Sequence, residues 1–231
     1  MNSLGTGYRA VVIGASGGIG SAVAAALEGD DGCGDLRRLS RSTDALDLTD
    51  EATVARAAAR LAGEGGAIDL LFDATGALDI DGQGPEKSMR ALDPAAMMRQ
   101  FAVNAVGPAL LIKHFAPLLA RDRRAVFATL SARVGSIGDN RLGGWISYRS
   151  AKAALNQIVR TASVELSRTH PKALLVALHP GTVETGLTAA YPNARKVSPR
   201  QSAEALLGVL DTLPVSATGG FYAYDGQPIE W

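Results

Sequence analysis

The chain is poor in the residue types that mark disulfide-rich and metal-binding proteins. It holds one cysteine in 231 residues, Cys33, so no internal disulfide can form, which is typical of proteins that work in a reducing compartment. Its three histidines, His114, His170 and His179, are dispersed and have no partners at metal-ligand spacing. We therefore expect no metal site and no disulfide framework.

The chain also lacks a net charge and a long apolar run. Its 23 basic residues balance 23 acidic ones, so no net field draws it to nucleic acid or to an anionic membrane. No uninterrupted apolar run is long enough to span a bilayer. Residues 10–27 after Arg9 superficially resemble a signal peptide, but the glycines between positions 14 and 20 would break its apolar helix. We expect a cytoplasmic protein whose ligand is a small molecule.

What the chain does have is an alternation of short apolar runs and helical patterns. Strands are predicted at residues 8–13, 36–39, 45–48, 68–72, 125–130, 173–178 and 220–224. Helices are predicted at residues 18–27, 49–61 with Thr49 as N-cap, 94–119 with a bend or break at Pro108 and Pro117, 146–166 and 203–213. Continuously apolar strands that alternate with helices indicate a parallel sheet buried on both faces. The predicted fold is α/β: a single domain over residues 1–231, with a doubly wound Rossmann-type sheet of about seven strands.

Glycines mark the turn between the first predicted strand and the first predicted helix. Gly14, Gly18 and Gly20 have the spacing G-x-x-x-G-x-G. Such glycines permit a tight turn and let the backbone approach a pyrophosphate, which the N–H groups at a helix N-terminus can bind. The strand before the turn and the helix after it favour a dinucleotide-binding loop, and the alternative is a tight turn without a ligand.

A tyrosine and a lysine stand four residues apart near the start of the predicted helix 146–166. Tyr148 and Lys152 therefore share one helix face. A lysine cation stabilises a phenolate, as an oxidised nicotinamide would, and a lowered pKa would make Tyr148 a usable general acid or base. By itself this spacing occurs by chance in many helices.

Together, the glycine spacing and Tyr148-x-x-x-Lys152 resemble the short-chain dehydrogenase/reductase family, over nearly the whole chain. The resemblance implies hydride transfer with a nicotinamide cofactor and a catalytic set of Tyr148, Lys152, Ser131 and Asn104. Ser131 would hydrogen-bond the substrate oxygen, Asn104 would support a proton-relay water, and Lys152 would also hold the ribose. The resemblance assigns cofactor contacts to Asn104, Tyr148 and Lys152, and also to Gly14, Ser16, Gly18, Ile19, Gly20, Asp47, Leu48, Ala74, Thr75, Gly76, Pro180, Gly181, Val183 and Thr185.

The end of the second predicted strand bears on which nicotinamide cofactor binds. An acid at that place binds the 2′-hydroxyl of NAD, whereas a basic residue accommodates the 2′-phosphate of NADP. Arg41 and Ser40 stand there, which favours NADP(H) over NAD(H). Two alternatives stay open: the arginines of this strand are solvated surface charge, or the nearby Asp44 competes for the ribose.

Two segments depart from the usual family pattern. Asp73-Ala-Thr-Gly76 stands where the family usually has Asn-Asn-Ala-Gly, and the loop between Ser131 and Tyr148 is longer. That loop and the C-terminal segment are similar to C-factor-like and sniffer-like carbonyl reductases of the family. Trp145 lines the substrate pocket or simply packs within the loop. The resemblance also implies a homodimer or homotetramer formed through the helix 94–119 or the Tyr148 helix.

The leading hypothesis is therefore an NADP(H)-dependent enzyme that interconverts a small-molecule carbonyl and an alcohol. The alternative is a non-catalytic NADP(H)-binding redox sensor or regulator, which would have no need of the acid Tyr148. A nucleotide-sugar epimerase or dehydratase is disfavoured, because nothing after Thr185 is long enough for a substrate subdomain. The loops at residues 77–87, 135–144 and 186–199 would shape the pocket, and the last of these is either a lid or a plain surface loop.

Overall fold

A parallel sheet organises the protein. The computed structural model describes residues 1–188 and 196–231. Within them the strands are β1 (Tyr8–Ile13), β2 (Cys33–Leu39), β3 (Leu70–Asp73), β4 (Ala125–Leu130), β5 (Ala173–His179) and β6 (Phe221–Ala223). They lie in the order β2-β1-β3-β4-β5-β6, and every neighbouring pair is parallel. The predicted Rossmann-type α/β fold is confirmed, with six strands in the described residues. The strand order reverses beside β1, which opens a crevice at the carboxyl ends of β1 and β3.

Helices cover both faces of this sheet. They are α1 (Gly18–Glu28), α2 (Arg41–Asp44), α3 (Glu51–Gly63), α4 (Pro94–Phe101), α5 (Gly107–Phe115), α6 (Ile146–Leu166) and α7 (Pro199–Thr212). Short 3-10 turns occur at Asn2–Leu4, Met89–Ala91, Ala116–Leu118, Arg133–Gly135, Gly186–Thr188 and Val215–Ala217. One apolar core joins α1 and α7 to the sheet, and a second joins α3, α5 and α6 to its other face. Strands β1, β3 and β4 are buried along their whole length, as their continuous apolar runs predict.

The strand predicted at residues 45–48 is wrong. Ala45 adopts a left-handed conformation, with φ 51°, at the end of α2. Leu46 and Leu48 are buried in the core, but they belong to a connecting segment and not to a hydrogen-bonded strand. The cap predicted at Thr49 is also wrong, because Asp50 accepts the backbone N–H of Ala52 and α3 begins at Glu51. Two leucines on either side of a polar residue are compatible with a strand and with a connecting segment, and tertiary packing decides between the two.

The helical run predicted at residues 94–119 is broken, as its prolines predict. A π-helical turn, Ala102–Val106, separates α4 from α5 just before Pro108. Proline has no N–H for the carbonyl four residues earlier, so the helix widens there. Pro117 lies in the closing 3-10 turn. By length and composition alone the run Pro94–Leu118 could cross a membrane. However, 44% of its most apolar 18-residue stretch is buried inside the protein, and a helix in a protein core can have the same length and composition.

Half of the predicted lid or surface loop at residues 186–199, positions 189–195, lies outside the described residues. Before it, Val183 forms a parallel bridge with Val197. Glu184 donates its N–H to Val197, and Val197 donates to Thr182. These contacts hold the two ends of the loop together beside the carboxyl end of β5.

Candidate active site

Two adjoining cavities occupy the crevice at the carboxyl edge of the sheet. The inner cavity has a volume of about 340 Å³ and the outer cavity about 670 Å³. Ala74, Thr75 and Gly76, which follow β3, line both. Of the predicted site residues, the inner cavity is also lined by Ile19, Ser131, Tyr148, Lys152, Pro180, Gly181, Val183 and Thr185. The outer cavity is lined by Gly14, Ser16, Ser40, Arg41, Asp47 and Leu48. The crevice therefore forms one trough with two ends.

The glycine loop allows the close approaches that a dinucleotide site needs. A Cβ at Gly20 would lie 2.1 Å from the carbonyl oxygen of Gly14, and one at Gly18 would lie 2.6 Å from Thr185 Cγ2. Gly14 itself has φ 80°, in the left-handed region. The N-terminus of α1 has Gly17 as its cap and no side-chain cap hydrogen bond. Gly17 lines the outer cavity and Ile19 lines the inner one, so the start of α1 adjoins the crevice and the residues present fit a bound pyrophosphate.

The outer cavity presents a cation where the second strand ends. Arg37 pairs with acids at Asp35 and Glu64, and Arg38 pairs with Glu28. Arg41 is exposed, lines the outer cavity and forms no salt bridge within residues 1–188 and 196–231, although its charge helps to lower the pKa of Asp47, which lines the same cavity. Of these three arginines, Arg41 is the one that lines the outer cavity.

The neighbours of Arg41 are held by local hydrogen bonds. Ser40 is buried and caps α2 by accepting the N–H of Thr43. The Asp44 carboxylate accepts hydrogen bonds from the backbone of Ser40 at 3.0 Å and from Arg60 at 2.7 Å. Burial opposes ionisation of Asp44, but the hydrogen bonds from Thr43 and Arg60 outweigh it and lower the pKa of this carboxyl. Asp44 is therefore already engaged, which weakens the alternative that it competes for a ribose.

Tyr148 and Lys152 lie at the wall of the inner cavity, on the first turns of α6. Both side chains are buried, and Lys152 Nζ lies 6.0 Å from the centroid of the Tyr148 ring. Nζ donates a hydrogen bond to the carbonyl oxygen of Leu130, at the end of β4, at 2.9 Å. Burial lowers the pKa of Lys152 to about 8, and Asp73 partly opposes that shift.

The pKa of Tyr148 shifts in the direction opposite to the sequence-based expectation. Burial raises it above the ordinary value of 10.0. The lysine was expected to lower it by stabilising the phenolate. Desolvation of the phenol wins because the Lys152 ammonium, at 6.0 Å from the ring, is bonded to a backbone carbonyl rather than to the phenol oxygen. Within the protein alone, Tyr148 is firmly protonated at neutral pH.

Ser131 and Asn104 approach the same place from other elements. Ser131 follows β4, lines the inner cavity and donates its hydroxyl to Asn156 Oδ1 at 2.7 Å. Asn104 lies in the π-helical turn and lines neither cavity; its amide holds Ala77 through both its oxygen and its nitrogen. A Cβ at Gly76 would lie 3.2 Å from Asn104 Oδ1 and 3.3 Å from Lys152 Nζ. The asparagine and the lysine thus flank one stretch of backbone.

Sequence reasoning missed two residues that build this site. Asn156, which receives the Ser131 hydroxyl, lies four positions after Lys152 on α6, and that spacing was its only signal. Glu86, in the loop 77–87, accepts hydrogen bonds from the backbone N–H and the hydroxyl of Ser147. It thereby caps the start of α6 from a distant part of the chain, which no local pattern indicates.

Asp73, which stands where the family usually has asparagine, is fully buried. Its carboxyl accepts the Thr129 hydroxyl at 2.6 Å, and the Thr75 hydroxyl and backbone N–H at 2.5 and 2.9 Å. Burial raises the pKa of Asp73 in spite of these hydrogen bonds. The carboxyl thus ties the end of β3 to β4 below the cavity floor.

His179 also lines the inner cavity, at the end of β5 and ahead of the Pro180–Gly181 turn. Burial lowers its pKa to about 4, so it is neutral at physiological pH. Among the residues that the structure describes, no group of His, Cys, Asp or Glu could hold a metal ion. Tyr148 and Lys152 give the inner cavity a buried phenol beside an amine, a pair that can transfer a proton.

Comparisons with known proteins find similarity over most of the chain. A family model described as enoyl-(acyl carrier protein) reductase matches residues 20–225. The chain is 35% identical over 187 residues to 1-hydroxy-2-glutathionyl-2-methyl-3-butene dehydrogenase of Rhodococcus sp. strain AD45, covering 80% of this chain and 78% of that one. It is 33% identical over 167 residues to C-signal of Myxococcus xanthus, covering 72% of this chain and 94% of that one.

A solved structure extends the similarity to the whole fold. The NADPH-bound carbonyl reductase from chicken fatty liver superposes with a TM-score of 0.85 at 24% identity, covering 100% of this chain and 97% of that one. The match with C-signal agrees with the expected similarity to C-factor-like proteins.

Replacing Asp73 by asparagine tests whether the pKa of this buried carboxyl is raised. Because the pKa of Asp73 is raised above 3.8 in the folded state, the carboxyl favours folding at low pH, and this contribution is lost as pH rises through its folded-state pKa. The free energy of unfolding of Asp73→Asn, relative to wild type, is therefore expected to increase from pH 4 to pH 8. Urea denaturation at each pH measures this difference, and a constant or decreasing difference contradicts the assignment.

Proposed function

The chain belongs to the short-chain dehydrogenase/reductase family of NAD(P)-dependent oxidoreductases, and we propose that it interconverts a carbonyl and an alcohol with NADP(H), using Tyr148 as general acid and base. The observation that carries the proposal is the position of Tyr148. Its buried phenol, beside Lys152 and Ser131, lines a cavity that shares its floor with the dinucleotide trough. A non-catalytic binding protein has no need of a buried acid at this junction.

Three polar side chains of the inner cavity, Tyr148, Ser131 and Lys152, have separate tasks in the proposed reaction. The nicotinamide supplies the hydride acceptor or donor when it is bound. Tyr148 gives its proton to the substrate oxygen as negative charge develops there, and Ser131 orients that oxygen. Lys152 holds the ribose and returns a proton toward Tyr148. Its pKa of about 8 suits such a role, since proton exchange is efficient near the working pH.

The outer cavity supports NADP(H) as the cofactor. Arg41 lines it and forms no salt bridge among the described residues, with the Asp47 carboxylate as a nearby charge, while Asp44 is engaged by Arg60 and by the backbone of Ser40. A guanidinium can bind a 2′-phosphate through two parallel hydrogen bonds. The chicken-liver carbonyl reductase binds NADPH, which is consistent with this assignment.

The lining of the inner cavity suggests the kind of substrate. Its apolar lining includes Leu78, Val134, Trp145 and Leu187, and the Trp145 ring packs edge-on against Tyr148 with the ring centroids 6.3 Å apart. A carbonyl compound with an apolar body would bury that body against these side chains while its oxygen meets Tyr148. Aromatic aldehydes, ketones, quinones and diketones are therefore suitable first probes.

The variant Tyr148→Phe tests the proposed acid. The phenol is removed and the ring is kept, so turnover of NADPH with a carbonyl panel is expected to fall by about 10²–10⁴-fold while NADPH still binds. Absorbance at the NADPH band measures turnover, and fluorescence titration measures binding. Tyr222→Phe is the matched control, because Tyr222 is half-buried on β6 and lines neither cavity.

Two outcomes of that experiment contradict the proposal. Near-full turnover by Tyr148→Phe would remove the role of the phenol. Clear NADPH binding by the wild type, without turnover of any aldehyde, ketone, quinone, diketone or enoyl thioester, would favour the non-catalytic redox sensor instead.

The variant Arg41→Ala tests the cofactor preference. Loss of a charge-assisted pair with the 2′-phosphate is expected to raise the Kd for NADPH by about 10- to 100-fold and to leave the Kd for NADH nearly unchanged. Isothermal titration with both cofactors measures this. Arg38→Ala is the control, since Arg38 pairs with Glu28 and lines neither cavity. Equal loss for both cofactors, or none, contradicts the role of Arg41.

A further inference from the structure

The hydroxyl of Ser131 is committed to a partner behind the cavity wall. Ser131 Oγ and Asn156 Oδ1 lie 2.7 Å apart, and the two residues are 4% and 2% exposed. The second amide contact settles which atom is which: Asn156 Nδ2 lies 3.4 Å from the carbonyl oxygen of Gly135, which can only accept. The amide oxygen therefore faces Ser131, and Ser131 supplies the proton of their hydrogen bond.

Asn156 cannot act on a substrate directly. It lines neither cavity, and its side chain lies between α6 and the turn Arg133–Gly135 that follows Ser131. It does stand on the helix that carries the catalytic candidates, four positions after Lys152 and eight after Tyr148. One amide thus connects the backbone after β4, the Ser131 hydroxyl and the helix of the proton donor.

We propose that Asn156 is a positioning residue for the oxidoreductase reaction, which fixes the rotamer of Ser131 and the direction of its hydroxyl. The proposal rests on the proposed function, since it acts through Ser131. In the free enzyme the hydroxyl proton is bonded to Asn156. A developing alkoxide is a stronger acceptor than a neutral amide, so the proton turns to the substrate oxygen as charge accumulates there. Ser131 then stabilises the transition state more than the bound carbonyl.

Loss of Asn156 should appear in kcat rather than in KM. Asn156→Leu keeps the volume and removes the acceptor, so kcat is expected to fall by about 3- to 10-fold, with KM nearly unchanged. The control is Gln157→Leu, which alters the neighbouring amide on the exposed side of α6, where Gln157 donates a hydrogen bond to Thr161. Thermal unfolding confirms that each variant is folded, and Asn156→Ala replaces Asn156→Leu if the latter is not.

A double-mutant cycle separates positioning from a merely structural role. In a Ser131→Ala background, Asn156→Leu should cause no further loss beyond about twofold, because the group that it positions is already gone. Losses that multiply, or full activity of Asn156→Leu in the wild-type background, overturn the proposal for Asn156 alone. Full activity of Ser131→Ala rejects the proposed function of Ser131, and the inference about Asn156 with it.

A crystallographic comparison gives a readout that does not depend on turnover. In the wild type Ser131 should occupy the single rotamer bonded to Asn156, and in Asn156→Leu its hydroxyl should populate other rotamers. A Ser131 side chain that keeps the wild-type rotamer in the variant would show that packing positions it, and this would also overturn the proposal.

Discussion

The burial of one ammonium group governs the construction of this site. Lys152 is 3% exposed and gives a hydrogen bond to the carbonyl of Leu130 at the end of β4. Burying a charge is costly unless hydrogen bonds compensate for the lost water, so the chain around it must come close. It does so at glycines: a Cβ at Gly135 would lie 2.8 Å from Lys152 Cβ, and one at Gly76 would lie 3.3 Å from its ammonium. The loops after β3 and β4 therefore both pass close to this one side chain of α6.

The same burial sets the protonation of the proposed catalytic pair, Lys152 and Tyr148. It lowers the pKa of Lys152 and raises that of Tyr148, and both shifts favour the neutral form. Asp73 is fully buried as well, and its pKa is raised. The protein groups by themselves thus keep the phenol protonated, as an acid for carbonyl reduction requires. Oxidation of an alcohol needs the phenolate, and a positive charge on a bound nicotinamide would favour it.

Much of the fold could be predicted, because a buried parallel strand has a strong local pattern. The runs that became β1, β4 and β5 are apolar apart from Arg9, Thr129 and His179, and the glycines after β1 identify the crevice. Residues 45–48 show the limit of that reasoning: Leu46 and Leu48 are buried as predicted, but in a connection rather than a strand. Their surroundings, not their pattern, decide the backbone conformation.

The parts of the site that sequence reasoning missed depend on contacts between distant segments. Glu86 caps α6 from 61 positions away, and Ser131 gives its hydroxyl to Asn156, 25 positions later. The direction in which the pKa of Tyr148 shifts also depends on burial, which the four-residue spacing to Lys152 does not reveal. Motif spacing identifies which side chains share a helix face, whereas the desolvation of each is a property of the whole fold.

The pKa of Tyr148, with and without oxidised cofactor, tests most directly the claim that burial keeps this phenol an acid. Tyrosine labelled with carbon-13 at Cζ would be followed by NMR against pH, with Tyr148→Phe to assign the signal. We expect no titration of Tyr148 below pH 10 in the free protein, and a lower pKa once NADP⁺ is bound. Titration below pH 10 without cofactor, or a pKa that NADP⁺ leaves unchanged, would contradict this account.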